Sequence, residues 1–461
     1  MSDVPVFLTE WITGQRWYSG KGHTGTWTRI GGFSLEPDAA APDIRIRVHL
    51  LLDLSSAPLL YQVPVTERVG RDADLEHALI GVTDEIPARY VYDGPRDPEF
   101  AAALLRLVLD EGTARPDDGS PGLAARGHTA PGAAPMEIVS SRVLSGEQSN
   151  TSIIYETVTL GGEPSAPVIC KLFRTLHHGE NPDVTLLSAL TAAGSTVVPR
   201  SIGHITGQWR DSGEPSGFAH GHLGFAQEFL PGVEDAWRVA LRAAETGEGF
   251  ADRARALGET TADIHVSLAA ALPTHPASEA DIDETLRSML MRFEQAVAVV
   301  PALEAQRSAV EQVHARARAS QWPALQRIHG DFHLGQVLAV PGRGWVALDF
   351  EGEPLRPMSE RSREDSPLRD VAGMLRSFDY AAGSVAQADP ERGDDGWAAE
   401  ARAAFLHGYS AGADLDLDEV SALLDAFEID KALYEAVYEA RNRPTWLPIP
   451  VSAIDRLLAP A

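Results

Sequence analysis

Apolar residues change their spacing once along this chain. Up to about residue 230 they recur mostly at period two or in short runs, as in strands; beyond it they recur at helical spacing. Residues 1–110 open on a helical start, "FLTEWITGQRWYSGKG", and continue in short alternating stretches. "DIRIRVHLLLDL" alternates and then runs apolar, which predicts a half-buried strand. "FAAALLRLVLDEG" carries apolar residues at helical spacing and ends at Gly112. The segment 111–135 is rich in Gly, Pro and Ala, lacks periodicity, and reads as a linker or loop. From 136 the order is strand, turn, strand in "MEIVSSRVLSGEQSNTSIIYETVTL", then strands at "APVICKLFR" and "GHLGFAQEFL" with the helix "NPDVTLLSALTAAG" between them. That is a small sheet with one helix over 136–230. The remainder, 231–461, predicts helices at 236–246, 250–270, 281–298, 302–320, 367–386, 396–411 and 417–440. One strand–loop–strand unit, "RIHGDFHLGQVLAVPGRGWVALDFEGEP" (327–354), interrupts them. Strands first and helices second predict an α+β, bilobal chain.

Composition narrows the partners. The chain has 461 residues, 44% of them hydrophobic, and a net charge of −27. An acidic chain of this kind argues against nucleic-acid and anionic-membrane binding. A local basic pocket or a divalent metal still accommodates a small phosphorylated ligand. The single cysteine, Cys170, excludes internal disulfides and cysteine-rich zinc sites. The start "MSDVPVFLTEW" lacks a basic region followed by an apolar one, and no apolar run reaches the length of a membrane span. The expectation is a soluble cytoplasmic protein.

The interrupting stretch carries the chemistry. In "HGDFHLGQ" Gln336 follows Asp331 by five residues, and Asp349 follows Asp331 by 18, at the end of the apolar run "WVALDF". A loop carboxylate, an amide oxygen and a second carboxylate at a strand end suit a magnesium–nucleotide site, because magnesium takes a few protein oxygens and completes its shell with phosphate and water. One carboxylate would accept the proton of an attacking hydroxyl; the other, with the amide, would hold metal. The stretch resembles the catalytic loop of kinases, and that resemblance implies a strand-borne lysine for the phosphates. Lys171 in "VICKLFR" shares its strand face with Ile169 and Phe173, so a buried anion should partner it. Asp183 is preferred over Glu180. A phosphate-covering loop is expected at 144–152, with Ser145, Ser149, Asn150 and Thr151. The same resemblance implies a hinge, placed at "AQEFLPG", whose backbone around Glu228–Leu230 would pair with adenine.

The catalytic stretch resembles that of aminoglycoside phosphotransferases and related eukaryotic-like kinases, H-G-D-x-H-x-x-N followed by D-F-E, with Gln336 at the Asn position. "HGDFHLGQVL", "LDFEGEPLRPMSERSREDSPLRDVAGMLRSFDYAA", "DKALYEAVYEARNRPTWLPIP" and the N-terminal "GQRWYSGKG" and "RYVYDGPRDPEF" together resemble actinobacterial maltokinases, which phosphorylate maltose at O1 with ATP. This resemblance implies a protein-kinase-like fold with an N-terminal cap subdomain (1–110), a small β-sheet intermediate subdomain and a mostly α-helical C-lobe. It implies Asp331 as catalytic base, Gln336 and Asp349 as magnesium ligands and Lys171 at the ATP phosphates. His333 would line the acceptor site or hold the loop backbone. The acceptor is expected near Tyr434, Tyr438, Arg441 and Trp446, where aromatic faces and planar polar groups suit a sugar, with Glu351 and Arg376 counted among its contacts. A trehalose synthase-type enzyme is the partner implied. Alternatives are a kinase of glucosamine or of an aminoglycoside, and a pseudokinase scaffold. A cationic acceptor would want an extra carboxylate, for which Glu351, Glu353, Asp370, Glu435 and Glu439 are available; Lys431 disfavours it if it faces the pocket.

Overall fold

The computed structural model describes residues 4–21, 25–55, 57–117, 125–144, 149–353, 356, 358–389 and 396–459. The chain divides into two compact units: Met1–Ser188 with Pro199–Pro231, and Ala189–Val198 with Gly232–Ala461.

The first unit is built on one antiparallel sheet of 13 strands. They are β1 (Trp27–Leu35), β2 (Arg45–Asp53), β3 (Leu59–Arg68), β4 (Leu79–Val82), β5 (Tyr90–Asp93), β6 (Thr113–Pro116), β7 (Ala125–Thr129), β8 (Met136–Val143), β9 (Asn150–Thr159), β10 (Val168–Phe173), β11 (Thr175–Leu176), β12 (Ser201–Arg210) and β13 (Phe218–Glu228). Their order is β4-β5-β3-β2-β1-β6-β7-β12-β13-β10-β9-β8, with β11 on β3. The cap strands β1–β5 and the strands after residue 136 therefore form a continuous sheet. What joins them is the segment read as a linker, which is a correction to that reading. β6 pairs with β1 and β7, and β7 pairs with β12. Its glycines misled the expectation. A Cβ at Gly127 would sit 1.8 Å from the Leu107 carbonyl oxygen, so this glycine permits close backbone approach inside a strand and marks no loop. Helix α1 (Val6–Thr13) buries Leu8 and Ile12 against Tyr61, Val63 and Trp27. Helix α2 (Pro98–Leu109) starts at Asp97, whose carboxylate accepts from the Glu99 amide, with Pro98 in the first helical position. Helix α3 (Pro182–Ala192) follows β11.

The second unit is helical: α4 (Ala236–Thr246), α5 (Ala251–Ala271), α6 (Glu279–Val299), α7 (Arg307–Ala319), the short α8 (Met358–Arg361), α9 (Leu368–Ala388), α10 (Trp397–Ala413), α11 (Leu417–Asn442) and α12 (Pro448–Leu458). Short strands β14 (Glu234–Asp235), β15 (Thr274–His275), β16 (Leu325–Gln326), β17 (Val337–Val340) and β18 (Gly344–Ala347) frame the catalytic stretch. The periodicity located all these helices except α8 and α12. α12 begins within "PTWLPIP", where prolines read as breakers but Pro448 takes the first helical position, at which a missing N–H costs nothing.

α5 and α10 cross backbone to backbone. A Cβ at Gly258 would meet the Phe405 carbonyl oxygen at 2.1 Å, and one at Gly408 would meet the Arg255 carbonyl oxygen at 2.1 Å. Gly258→Ala is therefore expected to destabilise the protein by about 1–3 kcal/mol, as overpacked cores do. A denaturant midpoint equal to that of the parent would show that the helices separate without penalty. No helix among the described residues is long and apolar enough to cross a membrane.

Candidate active site

Residues 327–336 are fixed from α9. Asp370, 1% exposed, accepts from the amides of His329 (2.8 Å) and Gly330 (2.9 Å), and the ring of His265 lies 3.0 Å from its Oδ2. His265 in turn meets the Tyr409 hydroxyl at 3.0 Å. Gly373 lets α9 approach; a Cβ there would stand 2.5 Å from the Phe332 carbonyl oxygen. His329 is structural: its Nε2 lies 2.8 Å from the Leu348 carbonyl oxygen, tying the loop to the strand end that carries Asp349. His333 accepts from the Gly335 amide through Nδ1, and burial keeps its pKa below the ordinary imidazole value. That bond ties its ring to the loop backbone.

The two residues expected to hold metal come together. Gln336 Nε2 donates to Asp349 Oδ2 at 3.2 Å, and the Leu348 amide donates to the Gln336 carbonyl. That bond leaves the Gln336 amide oxygen for another partner. Asp349 has φ 61°, a left-handed backbone that costs a non-glycine residue of order 1 kcal/mol or more and aims its side chain off the strand. A carboxylate and an amide oxygen are the hard donors magnesium takes, so the pair fits that ion.

Asp331 is engaged by a residue that the motifs did not assign. Lys431 on α11 donates to Asp331 Oδ1 at 3.2 Å and to Glu353 Oε1 at 3.3 Å. Burial lowers the Lys431 pKa, but Asp331, Glu353 and Glu435 outweigh it and hold the ammonium above the ordinary lysine range. Glu353 shows the converse. Burial raises it, yet Lys431, Arg292, Arg356 and Arg369 keep it below the usual carboxylate range. A signal for Lys431 did exist. Lysine occurs only at positions 21, 171 and 431 among 39 Lys and Arg. A chain that otherwise uses Arg keeps a compact ammonium where a planar fork would not serve.

Beside this pair lies a cavity of about 460 Å³ walled by α6, α11 and the segment after β18. Arg292, Glu353, Arg356, Tyr434, Tyr438 and Arg441 line it, with Met291 and Val437 as apolar wall. Arg292 and Glu353 also border a void of about 20 Å³ that reaches Asp331 and Lys431, enough for roughly one water. Tyr434 sits under the cations, with Lys431 Nζ 5.0 Å and the Arg292 guanidinium 5.5 Å from its ring centre. Three expected sugar contacts, Trp446, Arg376 and Glu351, lie elsewhere. Trp446 stacks on Tyr380 and lies under Arg443, and it does not line the cavity. The Arg376 side chain is 0% exposed and bonds Glu435 and Asp379, so its donors are spent on carboxylates inside the helical core. Glu351 borders neither cavity; it lies among the carboxylates near Arg361.

In the first unit Lys171 and Asp183 meet. Lys171 Nζ lies 2.7 Å from Asp183 Oδ2, with the carboxylate fully buried. Lys171 is the one residue of β10 that is not buried, and Asp183 stands in the first turn of α3. The loop residues fare differently. Ser145 lies outside the described residues, Ser149 is exposed, and Asn150 and Thr151 open β9. The Thr151 hydroxyl is buried and accepts from Arg174 Nε at 2.8 Å, which removes it as a phosphate contact. Arg174 is itself 1% exposed, over the Trp17 ring and 3.5 Å from Asp93. After β13, Glu228 and Phe229 donate their amides to the carbonyls of Arg200 and Pro167, while Leu230 makes no backbone hydrogen bond among the described residues.

Comparison with known proteins places the chain in a family. Residues 11–97 match the maltokinase N-terminal cap domain and residues 142–423 match the phosphotransferase enzyme family. A glucosamine kinase of Streptacidiphilus jiangxiensis is 30% identical over 399 residues, 79% of this chain and 87% of its own length. One from Mycolicibacterium smegmatis (strain ATCC 700084 / mc(2)155) is 28% identical over 398 residues, 79% and 89%. A solved glucosamine kinase in complex with glucosamine, ADP and inorganic phosphate superposes with a TM-score of 0.68 over 98% of this chain and 99% of its own, at 23% identity, and shares the fold. With its kinase-like catalytic loop, its cap and a family match over most of its length, the chain belongs to the phosphotransferase enzyme family.

Proposed function

We propose that this phosphotransferase is an ATP-dependent sugar kinase and that its acceptor is maltose, phosphorylated at O1. Glu353 carries the choice of a neutral acceptor. It is the one carboxylate among the described residues lining the 460 Å³ cavity, and Lys431 (3.3 Å), Arg356 (3.2 Å) and Arg292 (4.0 Å) already surround it. A protonated aminosugar would find no uncommitted anion there and would face Arg292, Arg356 and Arg441. A neutral disaccharide has hydroxyls for those donors and C–H faces for Tyr434 and Tyr438. Glucosamine is the second reading, favoured by the two relatives that bear its name.

In this reading Asp331 takes the acceptor proton. Lys431 occupies Oδ1, so Oδ2 receives the O1 hydroxyl. The O1–phosphorus bond forms as the bond from γ-phosphorus to the bridging oxygen breaks, and ADP leaves. Lys171, fixed by Asp183, contacts the phosphates, and the free backbone groups of Leu230 pair with adenine. Magnesium, held by Gln336 and Asp349, would neutralise phosphate charge. The family resemblance implies a trehalose synthase-type enzyme as the source of maltose.

The test is ADP release with ATP and magnesium against maltose, glucose, glucosamine and kanamycin, with the product identified by phosphorus NMR. Maltose is expected to turn over at an anomeric position. Glucosamine alone as acceptor would replace maltose, and silence across the panel would remove the sugar-kinase reading.

A further inference from the structure

The buried faces of α9 and α11 meet through charges as well as through methyl groups. Along α11, Glu428, Lys431, Glu435 and Glu439 recur every three or four residues, on one side of the helix. Glu428 and Glu439 are 2% and 1% exposed, and the Glu435 side chain 12%. Arg376 of α9 donates to Glu435 Oε2 twice, from Nε (3.0 Å) and Nη2 (2.8 Å), and also bonds Asp379. Asp379 also receives Arg456 of α12 (2.6 Å) and Arg402 of α10 (3.4 Å).

A seam of this kind is expensive to bury, and replacing it with apolar side chains commonly stabilises a protein. Packing alone therefore gives little reason for it. Its end at the catalytic loop gives one, because Lys431 is the member that leaves the seam and bonds Asp331. Glu435 stands one turn beyond Lys431, on the same face, and Arg376 fixes its direction by two bonds to one oxygen. We propose that Glu435, held by Arg376, is a positioning residue that directs the Lys431 ammonium at Asp331.

This rests on Asp331 being the base, and it extends the site from one contact to a chain running Arg376–Glu435–Lys431–Asp331. The groups around Lys431 are Asp331 and His333 from the catalytic loop, Glu353 after β18, Arg292 from α6, and Glu435 and Tyr434 from its own helix. Of the anions only Glu435 borders neither cavity; burial raises its pKa, and Arg376 and Lys431 pull the other way. Burial opposes the Lys431 charge, and the carboxylates together keep Lys431 above the ordinary lysine value. Removing one of them must let the proton leave at lower pH.

The chain's three lysines make this directly readable. Lysine labelled at Cε and Nζ gives three NMR signals, of which Lys431→Arg identifies one. In Glu435→Gln the Lys431 signal is expected to titrate about one pH unit lower than in the parent. The kcat profile should gain an alkaline limb at the same pH, with the acceptor KM changed by less than about twofold. In Lys431→Arg/Glu435→Gln that limb should vanish, since arginine does not titrate there. Arg376→Lys keeps the charges but not the two-pronged hold, and should lower kcat about tenfold without moving the Lys431 titration. A parent-like Lys431 titration in folded Glu435→Gln overturns the proposal, as does a parent-like kcat in folded Arg376→Lys. The NMR measurement needs no acceptor. Failure of the sugar assignment would thus appear in turnover alone, and failure of this link in the Lys431 signal.

Discussion

Asp331→Asn is expected to lower kcat by about 10³-fold, within the range for loss of a general base, while ADP binds as tightly as before. The substitution keeps the shape of the side chain and should leave the loop in place, because His329 and Gly330 hang from Asp370 and not from Asp331. Lys431 keeps Glu353 as a partner at 3.3 Å, so the ammonium is not left unpaired. The variant thus separates proton acceptance from architecture. Turnover in coupled ADP release and nucleotide affinity by calorimetry give the two readings. Retained turnover would refute Asp331 as the base. Lost nucleotide binding would mean that the change damaged more than proton transfer.

The contacts expected for a nucleotide were more legible in the sequence than those expected for an acceptor, for a physical reason. Asp331, Gln336 and Asp349 lie within one hairpin-like segment, where spacing alone brings side chains together. Lys171 and Asp183 are 12 residues apart, with only the two-residue β11 between their strand and helix, and they meet at 2.7 Å. The cavity at α6, α11 and residues 353–356 draws on segments separated by more than 50 residues on either side. Periodicity locates such helices but not which faces meet. The sequence reading placed Arg376 and Trp446 at the sugar, left open the direction of Lys431 and the use of Glu353, and did not include Arg292. Within the fold, helix patterns in the second unit were read to within a few residues except for 302–320, whose first turn is a separate 3₁₀ segment ahead of α7. The same rules failed at β6 and β7. There glycine and proline serve close packing and strand ends, and local propensity could not distinguish those uses from a loop.

Lys431→Met is expected to cost about 10²-fold in kcat, the scale of removing one preorganised donor from a charged site. The sign of the pH effect separates this from a packing defect. Lys431 is the cation bonded to both Asp331 and Glu353. Without it Glu353 loses the largest of the charges that hold it below the usual carboxylate range, and it binds a proton more readily. The acid limb of kcat/KM should then move to higher pH. Lys431→Arg, which restores the charge in a bulkier form, should return the limb most of the way while recovering only part of the rate. An acid limb that stays fixed in Lys431→Met would mean that the lysine does not set the charge of Glu353. Acceptor choice gives an independent reading. With Lys431 gone, Glu353 loses a cation that now occupies it, and the cavity gains an anion with spare capacity. The ratio of glucosamine to maltose turnover should then rise. The same substitution would thus weaken catalysis and relax discrimination against a cationic sugar, an outcome that follows only if one ammonium serves both the base and the cavity wall.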